Sequence, residues 1–140
     1  MSTGYAIGGG PGNEAAPKRF ENFKAGEAIS KGEVVAISGT ADDGYTVVLA
    51  DVDAAATYFV KGVATADVAS GDWGVFQTYG WCEYIVTDGN VADGQVLIAD
   101  ATPGAATGAA HGTAANGIFG QAYAADASTL LTAAFIDCGY

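Results

Sequence analysis

The residues able to do chemistry are few and badly placed for it. The chain's single histidine, His111, lies inside ATPGAATGAAHGTAANG (101–117), a run of Ala, Gly and Thr. Nucleophilic catalysis needs an imidazole held beside a hydroxyl or thiol and oriented by a third group. That run supplies no such group, so no catalytic residue is assigned. The two cysteines, Cys82 and Cys138, belong to no CxxC pair, whereas zinc takes several Cys or His ligands at short spacings. Their apolar surroundings read as buried free thiols, with a disulfide as the alternative. Asp42-Asp43, Asp51-Val-Asp53 and Asp88-Gly-Asn90 gather oxygens in turns. None has the ligand spacing of a calcium loop, and ordinary Asx turns account for them. Gly8-Gly-Gly10 precedes no strand–helix unit and is no phosphate cradle. Among sixteen acids no pair stands out for glycoside hydrolysis. The expectation is a protein that is not an enzyme, with no metal site and no cofactor.

One stretch remains conspicuous. ASGDWGVFQTYGW (69–81) holds both tryptophans, a Phe and a Tyr. Such density suits the middle of a core strand, a protein–protein anchor, or a sugar-stacking platform of coplanar exposed rings. The core reading fits Val75, Phe76, Cys82 and Ile85. Trp73, Tyr79 and Trp81 carry more aromatic surface than a small core needs, and are the candidates for a subunit interface. Gly80 is expected to mark a bulge or hairpin corner that resets the alternation.

The elements that position these residues read as strands. Runs rich in Val, Ile, Tyr, Phe and Trp cover 29–38, 45–50, 58–64, 73–78, 81–87, 96–99, 118–124 and 130–138, parted by Gly-containing turns. The fold class expected is all-β, a small β-sandwich or β-barrel with an extended N-terminal arm. The arm covers 1–24 and a single β domain covers 25–140. Within the arm, Lys18-Arg-Phe-Glu-Asn-Phe-Lys24 is the one basic–aromatic segment, with Phe20 and Phe23 as anchors. Residues 101–117 are expected to be a loop. A polar residue, a glycine, an acid or amide and a strand start recur at Lys31-Gly-Glu-Val-Val35, Ser70-Gly-Asp-Trp-Gly74 and Asp93-Gly-Gln-Val-Leu97. This reads as a recurrent turn in which glycine supplies a positive φ.

Charge narrows the partners. The net charge is −11, all five bases lie in the first 61 positions, and the rest carries eight acids and no base. Phosphate backbones and anionic membranes both call for basic side chains, so no nucleic acid and no membrane is expected as partner. The N-terminus shows neither a basic nor an apolar leader segment, so a chain made and assembled inside a cell is expected.

Five segments taken together resemble the decoration, or cement, proteins of tailed-bacteriophage heads: ISKGEVVAI (29–37), FVKGVATADVASGD (59–72), VFQTYG (75–80), DGQVLI (93–98) and IFGQAYA (118–124). The resemblance runs over about residues 28–137, on short glycine-driven motifs. It implies a structural virion protein on the capsid exterior, assembled in the host cytoplasm, that bridges and stabilises major capsid protein subunits, commonly as a homotrimer. It also implies that Lys18, Arg19, Phe20, Phe23 and Lys24 contact the capsid. A carbohydrate-binding or adhesion module on the virion surface is the alternative.

Overall fold

The computed structural model describes residues 17–53, 57, 59–110 and 117–138. They form eleven strands and no helix, as the all-β expectation required. In chain order these are β1 (Arg19–Ala25), β2 (Val34–Ile37), β3 (Thr46–Leu49), β4 (Gly62–Ala64), β5 (Trp73–Cys82), β6 (Ile85–Val86), β7 (Val96–Ala99), β8 (Ala106–Ala109), β9 (Gly120–Ala122), β10 (Leu130–Leu131) and β11 (Ala134–Asp137).

Nine strands make one mixed sheet in the order β1-β3-β2-β4-β5-β11-β9-β7-β8, and β1 also pairs with β5. That extra pairing closes β1, β3, β2, β4 and β5 into a small barrel, which removes their edges. The sheet then continues from the far half of β5 through β11, β9, β7 and β8, while β6 and β10 form a separate ribbon.

Two cores follow from the period-2 alternation of side chains. Inside the barrel, Phe23, Ala25, Ile29, Val35, Val47, Ala64, Val68 and Phe76 pack together. The second core gathers Val34, Ala36 and Val63 with Cys82, Ile85, Leu97, Phe119, Leu131, Ile136 and Cys138. Neighbours on β2 therefore point into different cores, as do Val63 and Ala64 on β4. These two strands are the wall between the cores, which explains their continuous apolar runs.

The recurrent turn is present. The third residue takes φ of +87° at Gly32, +88° at Gly71 and +87° at Gly94, as a type II turn demands. Glu33 N donates to Ser30 O, Asp72 N to Ala69 O and Gln95 N to Ala92 O, each closing a turn that launches β2, β5 or β7. The shared geometry extends further. Gly32, Gly71 and Gly94 donate to the carbonyls of Ala64, Ala25 and Ala122, and those alanines donate back to Glu33, Asp72 and Gln95.

Three expectations change. Residues 19–24 are not arm: they form most of β1, paired antiparallel with β5 from Arg19↔Tyr79 to Lys24↔Trp73. The polar types of RFENFKA hid a strand whose inward positions are only Phe23 and Ala25. Residues 1–16, the remainder of that arm, lie outside the described residues. The run 101–117 is likewise not wholly a loop. Thr102-Pro-Gly-Ala105 makes a fourth such turn, closed by Ala105 N donating to Thr102 O. β8 follows it and pairs with β7 through four residues. Ala and Gly, three of the four residues of β8, have weak strand preference, and the neighbouring strand overrides it. β5 runs unbroken through Gly80, and its register shift falls opposite Arg19 and Phe20, with Thr78 as the extra residue.

Candidate interaction surface

β1 carries its functional face by alternation. With Phe23 and Ala25 turned into the barrel, Phe20, Asn22 and Lys24 face outward. Opposite them on β5 stand Gln77, Val75 and Trp73. The result is an exposed apolar face on a strongly acidic chain: Phe20 is 49% exposed, Val75 45% and Trp73 57%. Tyr45, in the turn just before β3, stacks on Trp73 with ring centroids 5.2 Å apart and planes 20° apart. The turn that holds Tyr45 is fixed by Asp43, whose carboxylate accepts from Thr46 Oγ1 at 2.7 Å and from the backbone of Tyr45 and Thr46. The Thr46 hydroxyl leads in holding the Asp43 carboxyl below its ordinary range, against desolvation, with help from those N–H groups and the Lys24 charge.

The sequence-nominated capsid-contact residues therefore separate. Lys18, Arg19 and Phe20 are exposed and Lys24 is half-buried. Phe23 is a correction: it is 6% exposed and packs against Phe76 at 5.9 Å in the barrel core, because it occupies an inward position of β1. It has no surface to offer a partner.

The three subunit-interface candidates also differ. Trp73 is the most exposed. Tyr79 is half-buried, with the Arg19 guanidinium 4.8 Å above its ring and Phe135 edge-on at 5.2 Å. Trp81 is half-buried against Tyr123 at 5.7 Å and donates from Nε1 to Glu83 at 3.2 Å. The path of β5 between them is held by Gln77, fully buried. Its amide donates to the carbonyls of Trp81 (2.8 Å) and Tyr79 (3.2 Å) and accepts from Tyr84 Oη at 2.8 Å.

Sequence reading did not single out Tyr45, Tyr123 or Phe135. The alternation in IFGQAYA does put Gln121 and Tyr123 on one face, but only strand pairing brings them to Trp81. Trp81, Phe135, Gln121, Val96 and Ala109 occupy successive partner positions across five strands. Beside this row an open groove of about 520 Å³ is lined by Val96, Ile118, Gln121, Tyr123, Phe135 and Asp137.

Among the described residues, the buried thiols are not activated for reaction. Cys82 and Cys138 are free and fully buried. Burial pushes their thiols up to about 11 and about 12, which keeps them protonated and poor nucleophiles. Among the described residues, no three His, Cys, Asp or Glu side chains are grouped to hold a metal ion. His111 lies outside the described residues.

No family model and no curated protein matches the chain. A solved structure does: the N base of the head fiber gp8.5 of bacteriophage phi29 is similar with a TM-score of 0.63 and 18% sequence identity, over 87% of this chain and 96% of that one. The likeness extends over nearly the whole of both chains, and it shows a shared fold.

Proposed function

We propose that this protein is a structural component of a phage virion, seated on the outer face of the capsid, where it bridges major capsid protein subunits. The observation that carries the reading is the fold it shares with a phage head fiber base, over 96% of that chain. The chemistry agrees with an exterior position. A chain of net charge −11 is repelled by packaged DNA. The face around Phe20, Lys24, Tyr45, Trp73 and Val75 is the shell contact in this reading, with Lys18 and Arg19 at its rim. Apolar rings supply buried area there, and the bases provide charge pairing otherwise scarce in this chain. Many copies on a closed shell need only modest individual affinity. We further propose a homotrimer whose subunit contact meets the shell face at its Trp73 edge, with Tyr79 and Trp81 offering only their outer edges. The role is non-enzymatic, and assembly takes place in the host cytoplasm.

A glycan-binding reading of Trp73 has less support. Its ring stacks on Tyr45 instead of lying beside it, so the pair offers no extended coplanar platform.

The test is decoration of undecorated heads of the parent phage, counted by cryo-electron microscopy. Phe20→Ala combined with Lys18→Glu and Arg19→Glu is expected to leave a folded protein and remove most bound copies. Full occupancy by that variant would overturn the assignment of this face.

A further inference from the structure

The closure that removes the edges of the barrel strands stops short of the first half of β1. β5 pairs with β1 from Arg19 to Lys24, whereas β3 joins it only at Lys24 and Ala25. We propose that the open flank at Phe20 and Asn22 takes an extended, acidic segment of a partner protein as an added strand. The proposal rests on the shell reading only for the identity of that partner, a capsid subunit.

Three observations carry it. The first is the direction of the backbone. Ala25 N–H donates to the Asp72 carbonyl, on the β5 side, and Lys24 N–H to the Tyr45 carbonyl, on the β3 side. Amides alternate in direction along a strand, and the register with β5 is continuous from Phe20 to Lys24. The N–H and C=O groups of Phe20 and Asn22 therefore point away from β5, to the side where β3 has not yet begun. Tyr45, which leads into β3, gives its own N–H to the Asp43 carboxylate at 3.0 Å. No described backbone group pairs with Phe20 or Asn22 on that side. Arg19, Phe20, Glu21 and Asn22 are all exposed, as a strand covered on one flank requires. Such a row is a template for a further strand, whose main chain supplies the hydrogen bonds.

The second is charge. Residues 18–24 hold three of the chain's five bases against one acid, Glu21. Lys24 already acts on the Asp43 carboxylate. Lys18 and Arg19 form no ion pair with a described residue. The Arg19 guanidinium lies 4.8 Å over the neutral ring of Tyr79, which leaves its charge unmatched. A strand laid along this flank meets those two cations, and carboxylates on it are favoured.

The third is the supply of such a strand. β8, at the other end of the sheet, reads ATGA and carries no charge. Residues 1–16 contain a single acid, Glu14. Neither gives a second copy of this chain an acidic strand to offer, so the occupant is a different protein.

The experiment is a nuclear magnetic resonance titration of the full chain with acetyl-Thr-Glu-Val-Glu-Val-Thr-amide. Its glutamine counterpart, an N-methylated version and pentathymidylate are the comparison probes. The acidic peptide is expected to shift the Phe20 and Asn22 amide signals and to slow their hydrogen exchange about tenfold or more. Binding should weaken about fivefold between 50 and 300 mM salt, since exposed charge pairs are screened. Lys18→Gln with Arg19→Gln should weaken it about tenfold. Asn22→Pro should weaken it at least as much, because it deletes an N–H aimed at the open flank. Proline is tolerated where a strand's N–H faces solvent, so that variant keeps its fold, checked by circular dichroism. Should it unfold, the N-methylated peptide on the wild-type chain decides the same point. Equal binding of the glutamine peptide, the N-methylated peptide or pentathymidylate would overturn the proposal. An acidic peptide that does not bind would leave the bases as guards against edge pairing, and equally overturn it. Self-association abolished by Asn22→Pro, with no peptide effect, would assign the flank to a second copy and overturn it too. Full decoration of heads by folded Asn22→Pro would overturn the added strand and leave the shell reading standing. Failure of the wild-type chain to decorate, with peptide binding intact, would count against the shell reading alone.

Discussion

Phe20 and Phe23 are three residues apart on one strand, and the structure gives them opposite fates. Phe23→Ala removes a ring that is 6% exposed and packs at 5.9 Å against the fully buried Phe76. A phenylalanine buries on the order of 150–250 Å², which at about 25 cal/mol per Å² is worth roughly 4–6 kcal/mol. Part of that area is also buried in the unfolded chain, so the expected loss is about 3–5 kcal/mol, in line with Phe→Ala changes in other cores. The barrel has little means to refill the gap, since β1 is locked between β3 and β5. Phe20→Ala, at 49% exposure, should cost under about 1 kcal/mol, as surface substitutions do. Guanidinium unfolding followed by tryptophan fluorescence and circular dichroism reads both, with the slope of the transition checked for constancy. Equal losses for the two variants would refute the placement of β1 and return Phe23 to the surface. The same geometry directs truncation: removing residues 1–16 leaves every described strand in place, while a cut after residue 24 takes out a barrel strand.

Two further outcomes test the interior. Gln77→Leu should destabilise by about 1–3 kcal/mol for each buried group left unpaired, because the carbonyls of Tyr79 and Trp81 and the Tyr84 hydroxyl all meet that amide; a neutral result in denaturant unfolding would show that β5 keeps its path without it. The buried thiols set an alkaline limb. The unfolded chain ionises them from their ordinary value of 9.0, while the folded protein holds them to about 11 at Cys82 and about 12 at Cys138. Stability is therefore fully present below pH 9 and falls as pH rises, by about 1.4 kcal/mol per thiol at pH 10. Cys82→Ala with Cys138→Ala should flatten that limb in unfolding curves at pH 8, 9 and 10, and an unchanged slope would contradict the burial of the pair.

Much of the fold was legible. Turn glycines and β-branched runs locate β2, β3, β4, β7 and β9 within a residue or a few, while 130–138 read as one strand where β10 and β11 are two, and 73–78 and 81–87 read as two where β5 runs on to Cys82. The thrice-repeated glycine turn was visible as spacing alone, because a positive φ before a strand selects for glycine. β1 and β8 were missed for related reasons: RFENFKA buries just two side chains, and ATGA has almost none to bury. Both exist because a neighbouring strand offers hydrogen bonds, and pairing partners are not written in local sequence.

The sequence by itself determined the class, the turns and the charge asymmetry, since these follow from residue types and spacing of two to five positions. It also nominated Trp73, Tyr79 and Trp81 as surplus aromatic surface, of which Trp73 is exposed and the other two are half-buried. Only the tertiary structure decided which rings face outward and which residues share a face. Phe23 went inward and Phe20 outward because β1 closes a barrel. Tyr45 reached Trp73, and Tyr123 reached Trp81, because strands distant in sequence were laid side by side. The groove beside Phe135 belongs to the register of β11, β9 and β7, and register is fixed by burying two cores at once.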